Sequence, residues 1–185
     1  MSQAVKEIKD YFEDAGRSAG QAQSGRGRHE LRLPRQAAAV CYRRKNSRIQ
    51  FLLVTTKGGK WTFAKGSIAP GLSESHAAAR EAYEEAGALG IIEPRPFHSY
   101  LHSKGVFWKK GGVQEFLVRA FLMEIHTQHP PLESDRNPRW YDPTEAKRLL
   151  AINREHKYAE ELAAVIDAAL ERLNTTNGHS NGNGR

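Results

Sequence analysis

The chain has 185 residues, 39% of them hydrophobic, enough to bury one substantial core but too few to expect two full domains. A single cysteine excludes an internal disulfide framework, and no apolar run is long enough for a membrane span or a signal-peptide core, so a cytoplasmic protein is expected. The formal net charge of +7 suits an anionic partner, whether nucleotide, inositol phosphate or nucleic acid, without choosing among them. In chain order, Ala4 to Asp14 has the spacing of a short amphipathic helix, and Ala15 to Gly27, rich in Gly, Ser, Gln and Arg, reads as a flexible linker, so residues 1–30 form an extension. Residues 36–43 and 48–56 are apolar strand candidates joined through Arg44 to Ser47 as a hairpin, with Cys41 a buried thiol in the first. Trp61 to Ala64 is a third short strand. Beyond a helix treated below, β structure is expected around Ile91 to His102 and Val113 to Glu124, split by Gly111-Gly112. Helices from Thr144 to Leu150 and from about Arg154 to Leu173 close a domain of residues 31–173. The tail Asn174 to Arg185, with four Asn and three Gly, lacks apolar residues to pack and is expected to be disordered. This mixture of strands and helices implies an α+β class. The basic clusters Arg43-Arg44-Lys45 and Lys109-Lys110 read as solvated hairpin ends, and no RNA-binding motif with interleaved aromatics is present.

The most informative stretch runs from Gly66 to Ala88. Pro70-Gly71 breaks the chain, Ser73 suits an N-cap and Gly87 suits a stop, which delimits a helix from about Ser73 to Ala86. At 100° per residue Ala79, Ala82, Tyr83 and Ala86 fall on one stripe, and Glu74, Glu81, Glu84 and Glu85 fall opposite, giving a packing face and an outward acidic face. Glu81 and Glu85 are a like-charge pair four apart, which costs an isolated helix roughly 0.2–0.5 kcal/mol. No Lys or Arg follows either at three or four residues, so something outside the helix must neutralise that face. Carboxylates of this kind suit a hard cation such as Mg²⁺, which keeps waters and binds substrate phosphates. Alone, such a pair far more often belongs to an ordinary solvated acidic helix.

The preceding loop adds specificity. Gly66, Arg80, Glu81, Glu84, Glu85 and Gly87 stand in the register of G-x5-E-x7-R-E-U-x-E-E-x-G-U, where U is a bulky aliphatic residue, and the segment resembles the Nudix box. The departures are Leu72 in place of the first Glu, and Ala82 and Ala88 at the aliphatic positions. Trp61-Thr62-Phe63-Ala64-Lys65 before the box, and Arg139-Trp140-Tyr141 followed by a short helix, extend the likeness to about Arg35 to Leu150. They resemble the branch containing diphosphoinositol polyphosphate and diadenosine polyphosphate hydrolases. The aromatic pair equally reads as a buried strand end.

The resemblance implies an α/β/α sandwich with a mixed sheet, and metal-assisted attack of water on a phosphoanhydride. It implies Mg²⁺, with Mn²⁺ as an alternative, held by Glu81 and Glu85, while Glu84 serves as a further ligand or a base. Gly66 lets the backbone approach the site, Arg80 orients the box through Glu84, and Lys65 and Lys104 are candidates to meet substrate phosphate, with an exposed strand-end lysine as the equal alternative for Lys65 and an ordinary surface position for Lys104. His98 and His102 lie near the cleft strands, with ordinary surface positions as the alternative. The expected partner is a small phosphorylated molecule, a dinucleoside polyphosphate or inositol pyrophosphate before an RNA 5′ end, with no membrane contact. A Nudix-fold module that binds such a ligand without cleaving it is the alternative that Leu72 keeps open.

Overall fold

The computed structural model describes residues 33–105 and 112–178. The expected N-terminal helix and linker, the pair Lys109-Lys110 and everything beyond Gly178 lie outside them. Strands β1 (Arg35–Lys45) and β2 (Arg48–Thr55) form the expected hairpin. Asn46 and Ser47 turn it with φ of 50° and 61°, the left-handed pair that a two-residue loop between twisted strands requires. The next expected strand divides in two. β3 (Trp61–Thr62) pairs with β2, whereas β4 (Ala64–Ser67) pairs with β1, so the chain changes partner at Phe63.

Helix α1 (Glu74–Ala86) follows, then β5 (Ala88–Ile92), β6 (His98–Gly105) and the long β7 (Val113–Gln128). The strand expected around Ile91 to His102 is thus broken by the Pro94-Arg95-Pro96 run, which cannot hold a ladder. A single 3₁₀ turn (Ser134–Arg136) leads into β8 (Arg139–Tyr141), α2 (Pro143–Ala151) and α3 (His156–Gly178). β7 pairs in parallel with β1 and antiparallel with both β5 and β6, and β8 adds to β2, giving a mixed eight-stranded sheet.

Side-chain alternation along β1 divides the core. Ala37, Ala39 and Cys41 pack with Leu52, Phe121 and Met123 against the alanine face of α1, while Ala38, Val40 and Tyr42 pack with Phe51 and Leu53 against α2 and α3 through Leu150, Leu162 and Ile166. Helices therefore cover both faces, and the expected α/β/α sandwich is the observed architecture. Cys41 is 1% exposed, and burial pushes its thiol up to about 12, which makes it a core residue.

Two expectations change. Arg43 is not a solvated hairpin end: its Nε donates to Gln50 Oε1 at 2.9 Å and its guanidinium stacks over Trp140 at 4.2 Å. Helix α3 continues past Leu173 to Gly178, into the stretch expected to be a disordered tail, because Leu173 is still buried and the helical register carries on through it. Trp140 and Tyr141 pack as a half-buried strand end, with Tyr141 edge-on to Trp61 at 5.3 Å. Among the described residues no helix is long and apolar enough to cross a membrane.

Candidate active site

Both ends of α1 follow the local signals. Ser73 Oγ accepts the His76 N–H at 3.2 Å, and Gly87 ends the helix at φ 64° with its N–H bonded to the Tyr83 carbonyl. Gly87 is doubly required, since a Cβ there would stand 1.9 Å from the His129 carbonyl oxygen.

The acidic face is less simple than a helical wheel suggests. Glu74, in the first turn, sits between Arg35 at 3.7 Å and Arg119 at 3.8 Å, apart from the other carboxylates. Tyr83 is only half-buried, whereas Glu85 is 3% exposed and belongs to the packed face. The reason is angular: Glu85 lies 60° from Ala82 and from neighbouring Ala86 by a single 100° step, so a helix covered by an adjacent strand buries it. The outward acidic face expected from the spacing is corrected to that extent.

That adjacent strand is β4. Its pairing with β1, with Ala38 opposite Lys65 and Ala37 opposite Gly66, lays the Lys65-Gly66 backbone along the C-terminal half of α1. Glu85 Oε2 accepts the Lys65 N–H at 3.3 Å. The Glu81 carboxylate lies over Gly66, where a Cβ would come within 2.2 Å of its Oε1. Glu81, Glu85, Lys65 and Gly66 are thus brought together. Glu84 makes none of these contacts and is half-exposed, with Arg80 Nε 3.7 Å away. Arg80 also reaches Glu81 at 3.6 Å, so the expected Arg80–Glu84 link is shared, and the buried Arg80 Nε has no hydrogen-bond partner.

The neutralising charge comes from far along the chain. Arg136, in the 3₁₀ turn, places Nη2 2.7 Å from Glu85 Oε1 and donates from Nε to Glu133 Oε2 at 2.6 Å. The turn is pinned on both sides, by Glu133 N–H to the Glu84 carbonyl at 2.9 Å and by Thr55 Oγ1 to the Arg136 carbonyl at 3.0 Å. Burial pushes the Glu85 carboxyl up and the Lys65 ammonium down, and each partly restrains the other, with Arg136 also restraining Glu85. Burial and then the neighbouring Glu84 raise Glu81.

A second arginine, Arg154, donates from Nε to the Leu150 carbonyl at 2.9 Å and from Nη2 to the Trp61 carbonyl at 2.7 Å. Its charge is felt at Lys65 and at His102, whose ring is pushed down to about 3 by burial and then by Lys65 and Arg154. His102 is therefore a neutral imidazole beside a cationic rim. Lys104 is exposed two residues along β6, close enough for its charge to reach His102, and no contact joins it to the carboxylates. His98 stacks against Phe97 at a 6.4 Å ring separation and is not part of the cluster. Sequence reasoning missed Arg136 and Arg154; the signal for Arg136 was the uncompensated charge on the helix, which required a cation without locating it, and no local pattern marked Arg154.

Two concavities lie away from these groups: about 520 Å³ between the β5–β6 connection and α3, and about 450 Å³ beside the β1–β2 turn. At the carboxylates, the missing Cβ of Gly66 leaves open the cradle into which Glu81 projects, and Glu81 and Glu85 offer hard oxygen donors there. Among the described residues no three His, Cys, Asp or Glu side chains converge enough to hold an ion by themselves. Most of an octahedral shell would fall to backbone, water and ligand phosphate, an arrangement that Mg²⁺ tolerates, so the residues fit such an ion.

Comparison with known proteins agrees with this fold. The family model for the NUDIX domain matches residues 33–162. Similar solved structures include a Caenorhabditis elegans Ap4A hydrolase binary complex, at 21% identity and a TM-score of 0.57, covering 77% of this chain and 99% of that one. Another is the NUDIX domain of Shewanella oneidensis NrtR complexed with ADP ribose, at 15% identity and a TM-score of 0.54, covering 94% and 99%. A third is a NUDIX hydrolase from Nitrosomonas europaea, at 19% identity and 0.54, covering 75% and 90%. These structures share the fold at low identity. With the family model spanning most of the chain and the box helix seated on the sheet as described, the chain belongs to the NUDIX domain family.

Proposed function

We propose that this NUDIX-family hydrolase cleaves a phosphoanhydride with the help of a divalent cation, Mg²⁺ before Mn²⁺, and that it prefers a dinucleoside polyphosphate or an inositol pyrophosphate. The observation that carries this reading is the meeting of Glu81 and Glu85 over the Lys65-Gly66 backbone, with Lys65, Arg136 and Arg154 close by. Glu81 and Glu85 would hold the cation, which would neutralise charge on the diphosphate and acidify a bound water. Gly66 keeps the strand backbone close enough for the carboxylates to be presented together. Glu84, on the solvent side of the pair, takes the proton from an attacking water in this reading. Lys65 and Arg154 bind and orient the phosphate chain as fixed cations, and neutral His102 keeps the rim from gaining further positive charge. Lys104 attracts the distal end of a long anion from the open side of β6.

The same site in a non-cleaving module that binds a phosphorylated ligand is the second reading, favoured by Leu72 and by the ion pairing of Glu85 with Arg136. A substrate panel with product identification tests both. It covers dinucleoside polyphosphates, inositol pyrophosphates, nucleotide sugars, nucleoside triphosphates and 5′-triphosphate RNA, each with and without Mg²⁺. Turnover that needs Mg²⁺ and is fastest on the first two supports the proposal. Best turnover on a sugar-linked diphosphate rejects the substrate class, and tight binding without turnover supports the module.

A further inference from the structure

We infer that Arg136 is a built-in competitor for the cation on Glu85, so that the chain sets its own metal affinity through the 3₁₀ turn. This rests on the reading above that Glu85 is a metal ligand. Both oxygens of Glu85 already have a donor, the Lys65 N–H at 3.3 Å and Arg136 Nη2 at 2.7 Å. The arginine side chain is 17% exposed and the carboxylate 4%, so water screens the contact weakly.

The guanidinium is not a loose surface charge that drifts aside. Its Nε is bonded to Glu133 at 2.6 Å, and the turn that carries it is tied to α1 by the Glu133 N–H and to β2 by Thr55. A divalent ion on Glu85 therefore meets a fixed positive charge on the same carboxylate. The ion binds only by displacing the arginine, at a cost in affinity, and the turn loosens. Glu133 offers Arg136 a second carboxylate to retain when Glu85 is taken, so the release is local. With no Lys or Arg three or four residues after Glu85, this distant arginine, with Lys65, is the charge that balances Glu85 when no ion is bound.

Mn²⁺ affinity of the full chain, measured by electron paramagnetic resonance without substrate, reads this directly. Arg136→Gln is expected to bind Mn²⁺ about tenfold more tightly than the parent, because one like charge a few ångströms from the ion is gone. Arg136→Lys, which keeps the charge, is expected to stay within about threefold of the parent. In the parent, Mg²⁺ saturation should speed amide exchange at Arg136, whose N–H bonds the Glu133 carbonyl, and this measurement serves if the glutamine variant does not fold. Equal Mn²⁺ affinity in parent and Arg136→Gln, or unchanged exchange in the turn at saturation, overturns the competition and leaves the metal reading standing. Folded parent and variants that all fail to bind Mn²⁺ overturn the metal reading and the competition together.

Discussion

Replacing Gly66 with alanine separates the geometry of the site from the stability of the fold. An alanine Cβ would lie 2.2 Å from Glu81 Oε1, 2.3 Å from Cδ and 2.5 Å from Oε2, against the 3.4–4 Å of ordinary contact. The carboxylate must retreat by more than about 1 Å, and a displacement of that size can cost about 10²-fold in rate. The retreat is a rotation of a flexible side chain, and Gly66 has no left-handed φ that alanine would strain. Alanine also removes the roughly 0.5–1 kcal/mol by which glycine weakens a strand. Gly66→Ala should therefore melt within a few degrees of the parent by circular dichroism while Mg²⁺-dependent phosphate release falls about 100-fold. If the effect runs through Glu81, Gly66→Ala combined with Glu81→Gln is no slower than Glu81→Gln alone. A Gly66→Ala enzyme with near-parental rates, or a double variant showing the two losses in full, would refute the placement of Glu81 in the metal cradle.

Glu81→Gln should lose turnover by orders of magnitude yet melt no lower than the parent in metal-free buffer, since burial and Glu84 already disfavour the charge it removes; retained activity at saturating Mg²⁺ would speak against it. His102 carries a pH signature. The unfolded chain protonates this ring below about pH 6.5 whereas the folded one resists until about pH 3, so its contribution to stability is present above 6.5 and lost as pH falls toward 3. Between pH 7 and 5 the parent should lose about 2 kcal/mol more than His102→Gln in urea titrations, and parallel curves would show that the ring titrates normally. Leu72→Glu should change turnover only modestly, because Arg80 already reaches Glu81 and Glu84. A large gain in rate would mark the natural chain as a weakened enzyme.

What could be read from the sequence was set by locality. The ends of α1 rest on Ser73 and Gly87, whose cap bonds involve neighbours three or four residues away, and they fell where the sequence put them. The β1–β2 hairpin was legible for the same reason. Partner choice was not: nothing near Phe63 says that the chain leaves β2 for β1, because that decision belongs to residues far away in sequence. Glu81 and Glu85 were visible as a charge problem, and the pairing of Glu85 with Arg136 was not, since Arg136 sits in a 3₁₀ turn held in place by α1 and β2, far away in sequence. The wheel misjudged Glu85 because it could not show that β4 covers the side of the helix next to Ala82 and Ala86.

The sixteen-residue β7 carries a consequence for how the protein is made. It is the strand to which β1, β5 and β6 all attach, yet it is synthesised after every one of them. Its parallel pairing with β1 closes only once most of the domain has left the ribosome, a long-range step of the kind that slows folding. Until then a nascent chain displays one unpaired edge of β1 from Ala37 to Cys41, residues that end fully buried. An open apolar edge invites pairing with other chains. Translation that stalls before Val113 should thus yield aggregation-prone fragments, and the rate at which β7 emerges sets how long the edge of β1 stays open.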